Sequence, residues 1–473
     1  MSDDMGTLIS RLLVANRGEI ARRVMRTCRT MGIETVAVYS DPDAGSPFVA
    51  EADLAVPLGG AAPAESYLRA DAIVEAARLA GADAVHPGYG FLSEDAGFAR
   101  AVLDAGLTWI GPPPEAIASM GSKLAAREVM QAAGVPVLPG ADLTGIDADD
   151  QPALLAAADR VGWPVLVKAS AGGGGRGMRI VTEPDDLAAA VASARREAGS
   201  AFGDATVFLE HYVERPRHIE VQVFADTHGT VVHLFERECS IQRRHQKIIE
   251  EAPSPAITPA LRDAMGDAAV RAAAAIGYVG AGTVEFILSP DGSFHFLEMN
   301  TRLQVEHAVT EAITGLDLVA LQIEVAQGAP LPDEVRSAGV NGHAIEVRLY
   351  AEDPTADYLP TPGTLDRFEV PDAPGLDWLR LDSGVRDGDV ISAHYDPMIA
   401  KLIVHADTRD DAIRRLAWAL RRTLIHGVVT NRELLLGVCD HPEFQAGDID
   451  TAFLERHPPS AITPRPTPRQ LGL

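Results

Sequence analysis

A run of glycines near the middle of the chain constrains the fold more than any other feature of the sequence. The run consists of Gly172, Gly173, Gly174, Gly175, Arg176 and Gly177. Predicted strands lie close on both sides of it, at 165–168 and 178–181. Rossmann and Walker phosphate loops lie between a strand and a helix, so neither describes this run. Because glycines without Cβ atoms let backbone N–H groups approach an anion, the run is predicted to be a lid over phosphates; a flexible linker is the alternative.

The first 120 residues alternate between apolar strands and helices that are joined by short loops. Strands are predicted at 12–16, 35–39 and 82–85, and helices at 18–32, 67–80 and 94–105. This alternation predicts an α/β fold with a parallel, doubly wound, Rossmann-like sheet, which we place at residues 1–120. The segment 16–19 lacks the GxGxxG pattern, which argues against a plain dinucleotide-binding protein.

The remainder of the chain is predicted to be α+β. A second domain, 121–330, contains a smaller α+β unit around the glycine run at about 138–212. It also contains a helix at 123–134 and strands at 218–225, 231–236, 282–288 and 293–299. A third domain, 331–455, carries strands at 343–350 and 398–404 and an arginine-rich helix at 409–422. Residues 456–473 are rich in Pro, Ser and Thr and are predicted to form a flexible tail.

Charge and cysteine content exclude several classes of protein. With 41 basic and 67 acidic residues the net charge is −26, which repels nucleic acid and anionic membranes. No uninterrupted apolar run approaches the roughly 20 residues that span a bilayer, and the N-terminus does not read as a signal peptide. The three cysteines, Cys28, Cys239 and Cys439, are far apart, which argues against disulfides and a zinc site. A cytoplasmic protein without nucleic-acid or membrane partners is therefore expected.

Lysine is scarce in this chain. Only four of the 41 basic residues are lysines: Lys123, Lys168, Lys247 and Lys401. Because arginine serves almost everywhere else, a retained lysine indicates a position that needs a compact ammonium group, for example as a point charge toward phosphate. Chance survival on the surface is the alternative for any single lysine. The neighbouring sequence favours the functional interpretation for Lys168, four residues before the glycine run, and for Lys247, in a dense basic segment.

A predicted β-hairpin at 283–300 carries two carboxylates. Strand alternation places Glu298 and Asn300 on one face, and the turn at 289–292 makes Glu285 and Glu298 diagonal neighbours on a shared face. Two like charges so close are unfavourable unless a cation lies between them. Two carboxylates and an amide oxygen suit Mg²⁺ that bridges phosphate oxygens, whereas two carboxylates on a solvated face are the alternative.

Two further segments predict an anion site. After the hairpin, Arg302, Gln304 and Glu306 alternate with apolar residues and could converge on one small planar anion. Arginine binds a carboxylate-like group through two N–H donors, and glutamate can act as a general base; a surface ion pair is the alternative. The densest basic run, 242–247, is predicted to line an anion or nucleotide pocket, because the net charge argues against nucleic acid.

With these motifs, the chain resembles the biotin carboxylase family of the ATP-grasp superfamily. The resemblance runs from the segment 15–20 through 86–94 to about residue 454, and the segments 243–247 and 298–307 are its most specific parts. The segments 382–386 and 394–401 are most similar to the α chains of acyl-CoA carboxylases. The resemblance implies an N-terminal biotin carboxylase domain, an ATP-grasp domain with a glycine-rich lid, and a biotin carboxylase C-terminal domain.

The resemblance also implies a role for each matching residue. For ATP it implies Lys123, Lys168, the glycine run, Met178, Glu210, His218, Gln242 and His245. For Mg²⁺ or Mn²⁺ it implies Glu285, Glu298 and Asn300. For bicarbonate and biotin it implies Lys247, Arg302, Gln304, the backbone of Val305, Arg348, Tyr89 and Phe91. The implied catalytic residues are Glu306, which deprotonates bicarbonate, and Arg348, which stabilises the biotin enolate, together with Lys247 and Arg302.

These roles imply a ligase that carboxylates biotin through carboxyphosphate, in the first half-reaction of an acyl-CoA carboxylase of fatty acid metabolism. None of the four lysines has a methionine neighbour, so biotin is expected on a separate carrier, with a carboxyltransferase as a further partner. A homodimer or a larger complex is expected, while the final acyl-CoA stays open. His211 departs from the lysine of some relatives, which affects only adenine-side contacts. The alternatives are another bicarbonate-activating ATP-grasp ligase and a non-catalytic nucleotide-binding scaffold.

Overall fold

The N-terminal region is a five-stranded parallel sheet. The computed structural model describes residues 8–171, 178–243 and 246–463. The strands are β1 (Arg11–Val14), β2 (Glu34–Tyr39), β3 (Leu54–Pro57), β4 (Ala84–His86) and β5 (Thr108–Trp109). The helices are α1 (Gly18–Met31), α2 (Pro47–Glu51), α3 (Ala70–Ala80), α4 (Ala96–Asp104) and α5 (Pro114–Met120). The strand order β3-β2-β1-β4-β5 is parallel throughout, as the sequence predicts.

Alternate residues of the central strand face two different hydrophobic cores. Leu12 and Val14 pack in one core with α1, whereas Leu13 packs in another with Ile73 of α3 and Phe98 of α4. Both faces of the sheet are therefore covered by helices, which confirms the doubly wound prediction.

A small antiparallel sheet forms the unit around the glycine run. Its order is β6-β9-β7-β8, and it packs against the two helices that connect its strands. The strands are β6 (Gly140–Asp142), β7 (Val165–Ala169), β8 (Arg179–Val181) and β9 (Val207–His211). The helices are α6 (Lys123–Ala132), α7 (Gln151–Val161) and α8 (Leu187–Phe202). The glycine run, 172–177, and His245 lie outside the described residues.

The rest of the chain is built on an eight-stranded antiparallel sheet. Its strands in chain order begin with β10 (Arg217–Ala225), β11 (Val231–Arg243), β12 (Gln246–Ala252), β13 (Gly280–Leu288), β14 (Phe294–Asn300) and β15 (His343–Tyr350). The strands that follow β15 are β16 (Glu352–Asp353), β17 (Leu359–Pro360), β18 (Gly363–Thr364), β19 (Arg367–Glu369), β20 (Leu379–Ser383), β21 (Val390–Ile391), β22 (Met398–Ala406) and β23 (Leu424–His426). Of these, β20 and β22 belong to the eight-stranded sheet, and the others form the two-stranded sheets β16-β17, β18-β21 and β19-β23. The sheet order is β14-β13-β10-β11-β12-β15-β22-β20.

Nine helices cover this sheet and its connections within the described chain. They are α9 (Pro259–Ala275), α10 (His307–Thr314), α11 (Leu318–Ala326), α12 (Asp333–Arg336), α13 (Arg409–Arg422), α14 (Arg432–Cys439), α15 (Pro442–Ala446), α16 (Phe453–Arg456) and α17 (Pro459–Ile462). Among the helices described, none is both long and apolar enough to cross a membrane.

Hydrogen bonds between β12 and β15 join the predicted second and third regions into one sheet. The predicted division near residue 330 is therefore not a break in backbone pairing, and the domain bounds as a whole stay a prediction.

Two sequence expectations are wrong in detail. β11 continues to Arg243, beyond the predicted end at 236, because its charged residues are buried among ionic partners instead of marking a loop. The expected flexible tail contains the helix α17, whose Ile462 packs against the core of the C-terminal region. Apolar burial orders this part of a proline-rich segment.

A buried ion pair ties the N-terminal sheet to the C-terminal region. Arg17 donates two hydrogen bonds to Asp43, at 2.6 and 2.7 Å, and its guanidinium lies 4.3 Å from the ring centre of Tyr395. The Tyr67 hydroxyl donates to the same carboxylate at 2.5 Å. Burial opposes ionisation of Asp43, but Arg17, Tyr67 and Ser46 outweigh it and lower the pKa of that carboxyl.

Asp43→Asn is expected to lower the free energy of unfolding at neutral pH by about 1–3 kcal/mol, because a charge-assisted pair is lost. A carboxyl whose pKa is lowered on folding stabilises the protein above its unfolded pKa, and this contribution disappears as the pH falls through the folded pKa. The difference in the free energy of unfolding between wild type and variant, measured by urea unfolding, should therefore become smaller below about pH 5. The exposed change Asp104→Asn serves as the control. A difference in the free energy of unfolding that does not change with pH would contradict the ionic explanation.

Candidate active site

The centre of the site is the ammonium group of Lys247 on β12. It donates hydrogen bonds to Glu220 of β10 at 2.5 Å, Glu306 at 2.7 Å and Glu285 of β13 at 2.8 Å. Burial disfavours the charged lysine, but the three carboxylates outweigh it and hold its pKa well above the usual value. Lys247 is therefore a permanent point charge, as its scarcity in the sequence indicates.

Glu306 is fully buried immediately before α10. Besides Lys247, it accepts a hydrogen bond from Arg348 of β15 at 3.0 Å, and Arg348 also donates to Glu250 at 2.6 Å. Burial raises the pKa of Glu306, but Lys247, Arg348 and Arg237 overcome this and hold it well below its usual value. The side chain is thus an ionised carboxylate held between two cationic side chains.

The segment that precedes α10 brings the other predicted anion-binding residues together. Arg302 donates to Asn300 at 2.8 Å and to Gln304 at 3.1 Å, and Gln304 donates to Glu285 at 3.0 Å. Arg302 also donates to Glu94 at 2.8 Å. Arg302 and Gln304 therefore lie in a loop beside Glu285, which Lys247 links to Glu306. The convergence of Arg302, Gln304 and Glu306 on one anion stays a prediction.

The two predicted metal carboxylates lie directly opposite each other. Glu285 pairs with Glu298 across β13 and β14, so the expected diagonal relation is wrong. A bulge next to this pair skips Leu297 and shifts the register that the turn alone would give. The Asn300 amide donates to Glu285 at 2.9 Å.

The electrostatics of this pair fit a cation. Burial and the charge of Glu285 raise the pKa of Glu298, whereas Lys123 and Lys168 lower it. Facing carboxylates therefore repel each other, and a divalent cation between them would remove the repulsion. Their oxygens, with that of Asn300, are ligands that Mg²⁺ prefers.

Another acidic cluster is less suited to a metal ion. Ligand atoms of His218, Glu220 and Glu285 lie within 4.8 Å of one another. However, Glu220 already accepts hydrogen bonds from Arg237 and Lys247, and His218 Nε2 lies 2.8 Å from Glu285. Cationic side chains therefore neutralise this cluster.

The predicted ATP-binding residues lie on the small sheet and the facing strands. Lys168 of β7 donates to Glu210 of β9 at 2.8 Å. Burial lowers the pKa of Lys123, at the start of α6, while Glu298 raises it. Both lysines act electrostatically on Glu298 of the carboxylate pair. Gln242 faces Lys247 in the register of β11 and β12, and Met178 immediately precedes β8.

Two predicted substrate contacts lie in the N-terminal region. The Tyr89 carbonyl accepts a hydrogen bond from Asn16 at 2.8 Å, and its buried hydroxyl has no hydrogen-bond partner in the described part of the chain. Phe91 stacks on Tyr67, with ring centres 5.0 Å apart. Their contacts with substrate stay predictions, as do the individual roles of the other site residues.

Sequence reasoning missed three buried partners of the site: Glu220, Arg237 and Glu250. Arg237 is fully buried and donates to Glu220, Gln222, Thr283 and Thr310. The available signal was a charged residue between apolar neighbours, such as Ile219-Glu220-Val221. In a strand buried on both faces, such a residue requires an ionic partner.

Comparisons with known proteins agree with this geometry. Residues 8–117 match "Biotin carboxylase, N-terminal domain", residues 122–334 match "Carbamoyl-phosphate synthase L chain, ATP binding domain", and residues 346–456 match "Biotin carboxylase C-terminal domain". The chain is 52% identical over 450 residues to a biotin carboxylase of Halalkalibacterium halodurans, which covers 95% of this chain and 98% of that protein.

Two further relatives are informative. Identity to the mitochondrial methylcrotonoyl-CoA carboxylase subunit alpha of Dictyostelium discoideum is 51%, over 97% of this chain but only 65% of that one. The solved dimer of the Hydrogenobacter thermophilus 2-oxoglutarate carboxylase biotin carboxylase domain, in complex with MgADP, ADP and bicarbonate, has a TM-score of 0.91 and 43% identity. It covers 98% of this chain and 100% of that one. The chain therefore belongs to the biotin carboxylase family.

Proposed function

We propose that this chain uses ATP to activate bicarbonate and then carboxylates biotin that is attached to a separate carrier. The observation that carries the proposal is the cluster of Lys247, Arg348 and the ionised Glu306, next to the facing carboxylates Glu285 and Glu298. It combines a small-anion site, a proton acceptor and oxygen ligands for a metal ion. The related Hydrogenobacter domain was solved with MgADP and bicarbonate.

In this proposal, Arg302 and Gln304 orient bicarbonate and Lys247 compensates its charge. Glu306 takes the bicarbonate proton, and the freed oxygen attacks the γ-phosphorus, so that carboxyphosphate forms and ADP leaves. Mg²⁺ held by Glu285, Glu298 and Asn300 would neutralise phosphate charge during this step. Arg302 keeps its alignment through Asn300, which couples the anion site to the metal site.

The second step is proposed to take place beside Arg348, which binds the Glu306 oxygen that Lys247 does not bind. Carboxyphosphate breaks down to CO₂ and phosphate, the phosphate takes the ureido proton of biotin, and the biotin nitrogen attacks CO₂. Between the loss of the ureido proton and the attack on CO₂, Arg348 would stabilise the enolate oxygen of biotin through its guanidinium. Its bond to Glu250 holds this guanidinium in place.

The nucleotide is proposed to lie between the small sheet and the eight-stranded sheet. Lys168 and Lys123 would contact its phosphates, with the glycine run closing over them. Both lysines already act on Glu298, which supports their position beside a metal-bound phosphate.

Partners and location remain proposals. The chain spans 98% of the Halalkalibacterium biotin carboxylase but only 65% of the Dictyostelium α subunit, so a biotin carrier, a carboxyltransferase and an acyl-CoA substrate are proposed for the assembly in which it acts. A dimer is proposed by analogy with the Hydrogenobacter domain. The three cysteines are buried and unpaired, which supports a reducing, cytoplasmic location.

The proposed reaction predicts that ADP release by the purified chain with Mg²⁺ and ATP requires bicarbonate and increases when free biotin is added. A coupled spectrophotometric assay measures this. Bicarbonate-dependent turnover that is indifferent to both free and carrier-bound biotin would favour another bicarbonate-activating ligase. Tight ATP binding without turnover, even with a biotinylated carrier, would favour a scaffold.

Glu306→Gln is expected to reduce bicarbonate-dependent ATP turnover by about 10²–10⁴-fold, because the proton acceptor is lost. The Kd for ATP, measured by calorimetry, should change little, since Glu306 binds Lys247 and Arg348 and not a predicted nucleotide residue. Glu128→Gln, an exposed substitution of the same type, is the control. Wild-type turnover in the Glu306 variant would remove this carboxylate from the mechanism.

Glu298→Gln is expected to raise the Mg²⁺ concentration needed for half-maximal turnover by at least about tenfold. The substitution also removes the repulsion from Glu285, so the thermal midpoint of the metal-free protein should not fall. Titration of turnover with Mg²⁺ and thermal unfolding without metal give the two readouts. An unchanged Mg²⁺ requirement would show that Glu298 does not bind the metal ion.

A further inference from the structure

Lys401 is the one lysine of the chain to which the family resemblance gives no role. It lies on β22 and is fully buried. Its ammonium group donates a hydrogen bond of 2.6 Å to the backbone carbonyl of Val305. Val305 immediately precedes Glu306, so this buried cation binds the loop that carries the proposed proton acceptor.

The carboxylates around Lys401 lie farther away than this carbonyl. Glu19 of α1 is at 3.6 Å, Asp382 of β20 at 3.9 Å and Glu346 of β15 at 4.0 Å. These distances exceed those of hydrogen bonds, and the oxygens of Glu19 and Glu346 have no hydrogen-bond partner in the described part of the chain. The carboxylates therefore compensate the charge of Lys401 from a distance, while its short bond is directed at the loop.

Strand register explains why this contact affects Glu306. Lys401 of β22 is the direct partner of Arg348 of β15, so both side chains project from the same face of the sheet. Arg348 binds the side chain of Glu306, and Lys401 binds the main chain of Val305. Two neighbouring cations thus hold two consecutive residues of the loop.

We infer that Lys401 is a positioning residue, which fixes the Val305 peptide and thereby sets the location of the bicarbonate-binding loop 301–306. The inference rests on the proposed function. Lys401 reaches the reaction only through Val305, and its contact with Glu19 extends the same support to the first helix of the N-terminal region.

Lys401→Met tests the inference, because methionine keeps the length of the side chain and removes the ammonium group. Burial raises the pKa of Glu19 to about 7 and that of Glu346 well above its usual value, so both carboxyls can take up protons when the cation is lost. The variant should therefore fold. The KM for bicarbonate is expected to rise about tenfold, as for the loss of one charge-assisted hydrogen bond, while the KM for ATP stays within about twofold.

Arg409→Met is the matched control. Arg409 is also a mostly buried cation beside the eight-stranded sheet, where it donates to Glu251 at 2.6 and 3.0 Å, but it does not contact the loop. Its loss should lower the thermal midpoint without changing the KM for bicarbonate. Lys401→Leu, which also has no hydrogen-bond donor, replaces the methionine variant if that protein is insoluble, and the same rise in KM is expected.

The outcomes separate this inference from the proposed function. A lower kcat with an unchanged KM for bicarbonate in the Lys401 variants would assign Lys401 a purely structural role and overturn the inference. Equal effects of the Lys401 and Arg409 substitutions on that KM would do the same. Absence of bicarbonate-dependent turnover in the wild-type protein would instead overturn the proposed function.

Discussion

The site depends on one buried ammonium group surrounded by an excess of negative charge. Lys247 alone cannot compensate Glu220, Glu285 and Glu306, and an uncompensated buried carboxylate costs several kcal/mol. Each carboxylate therefore has a second cationic or protonatable partner: Arg237 for Glu220, His218 for Glu285 and Arg348 for Glu306. Together with Lys247 of β12, these partners come from four strands of one sheet, β10, β11, β12 and β15. The charge balance of the site therefore depends on the order of the strands in that sheet.

The parts of the fold that the sequence predicts well are those in which local pattern and tertiary environment agree. The strand of Leu12–Val14 is apolar because both of its faces are buried, and α1 ends at Gly32, whose left-handed conformation (φ 72°) suits glycine. The chemistry was also accessible, because Lys247, Arg302 and Glu306 stand in short segments with a specific composition. Residues of one short segment stay close together in space whether the segment forms a strand or a loop.

What the sequence could not predict depends on register and on distant partners. One bulged residue, Leu297, decides whether Glu285 and Glu298 are diagonal or directly opposed, and nothing in the local pattern marks it. Arg237 could not be assigned to the site without knowing that three other elements enclose it. The helix α17 could not be predicted for the same reason, because Ile462 packs against a core built from residues much earlier in the chain.

The continuity of the eight-stranded sheet has a consequence for distances within the active site. Glu285, the proposed metal ligand, lies on β13, and Arg348 lies on β15. Three hydrogen-bonded strands, β10, β11 and β12, separate these two strands. Four strand spacings correspond to about 19 Å at the backbone, and inter-strand hydrogen bonds keep this separation constant. Lys247 of β12 binds both Glu285 and Glu306, and Arg348 binds Glu306, so the two ends are joined through these side chains. The proposed phosphate-binding and biotin-binding ends of the site are therefore held at a fixed separation by one sheet. The four-stranded sheet β6-β9-β7-β8 is separate from it and does not set that separation.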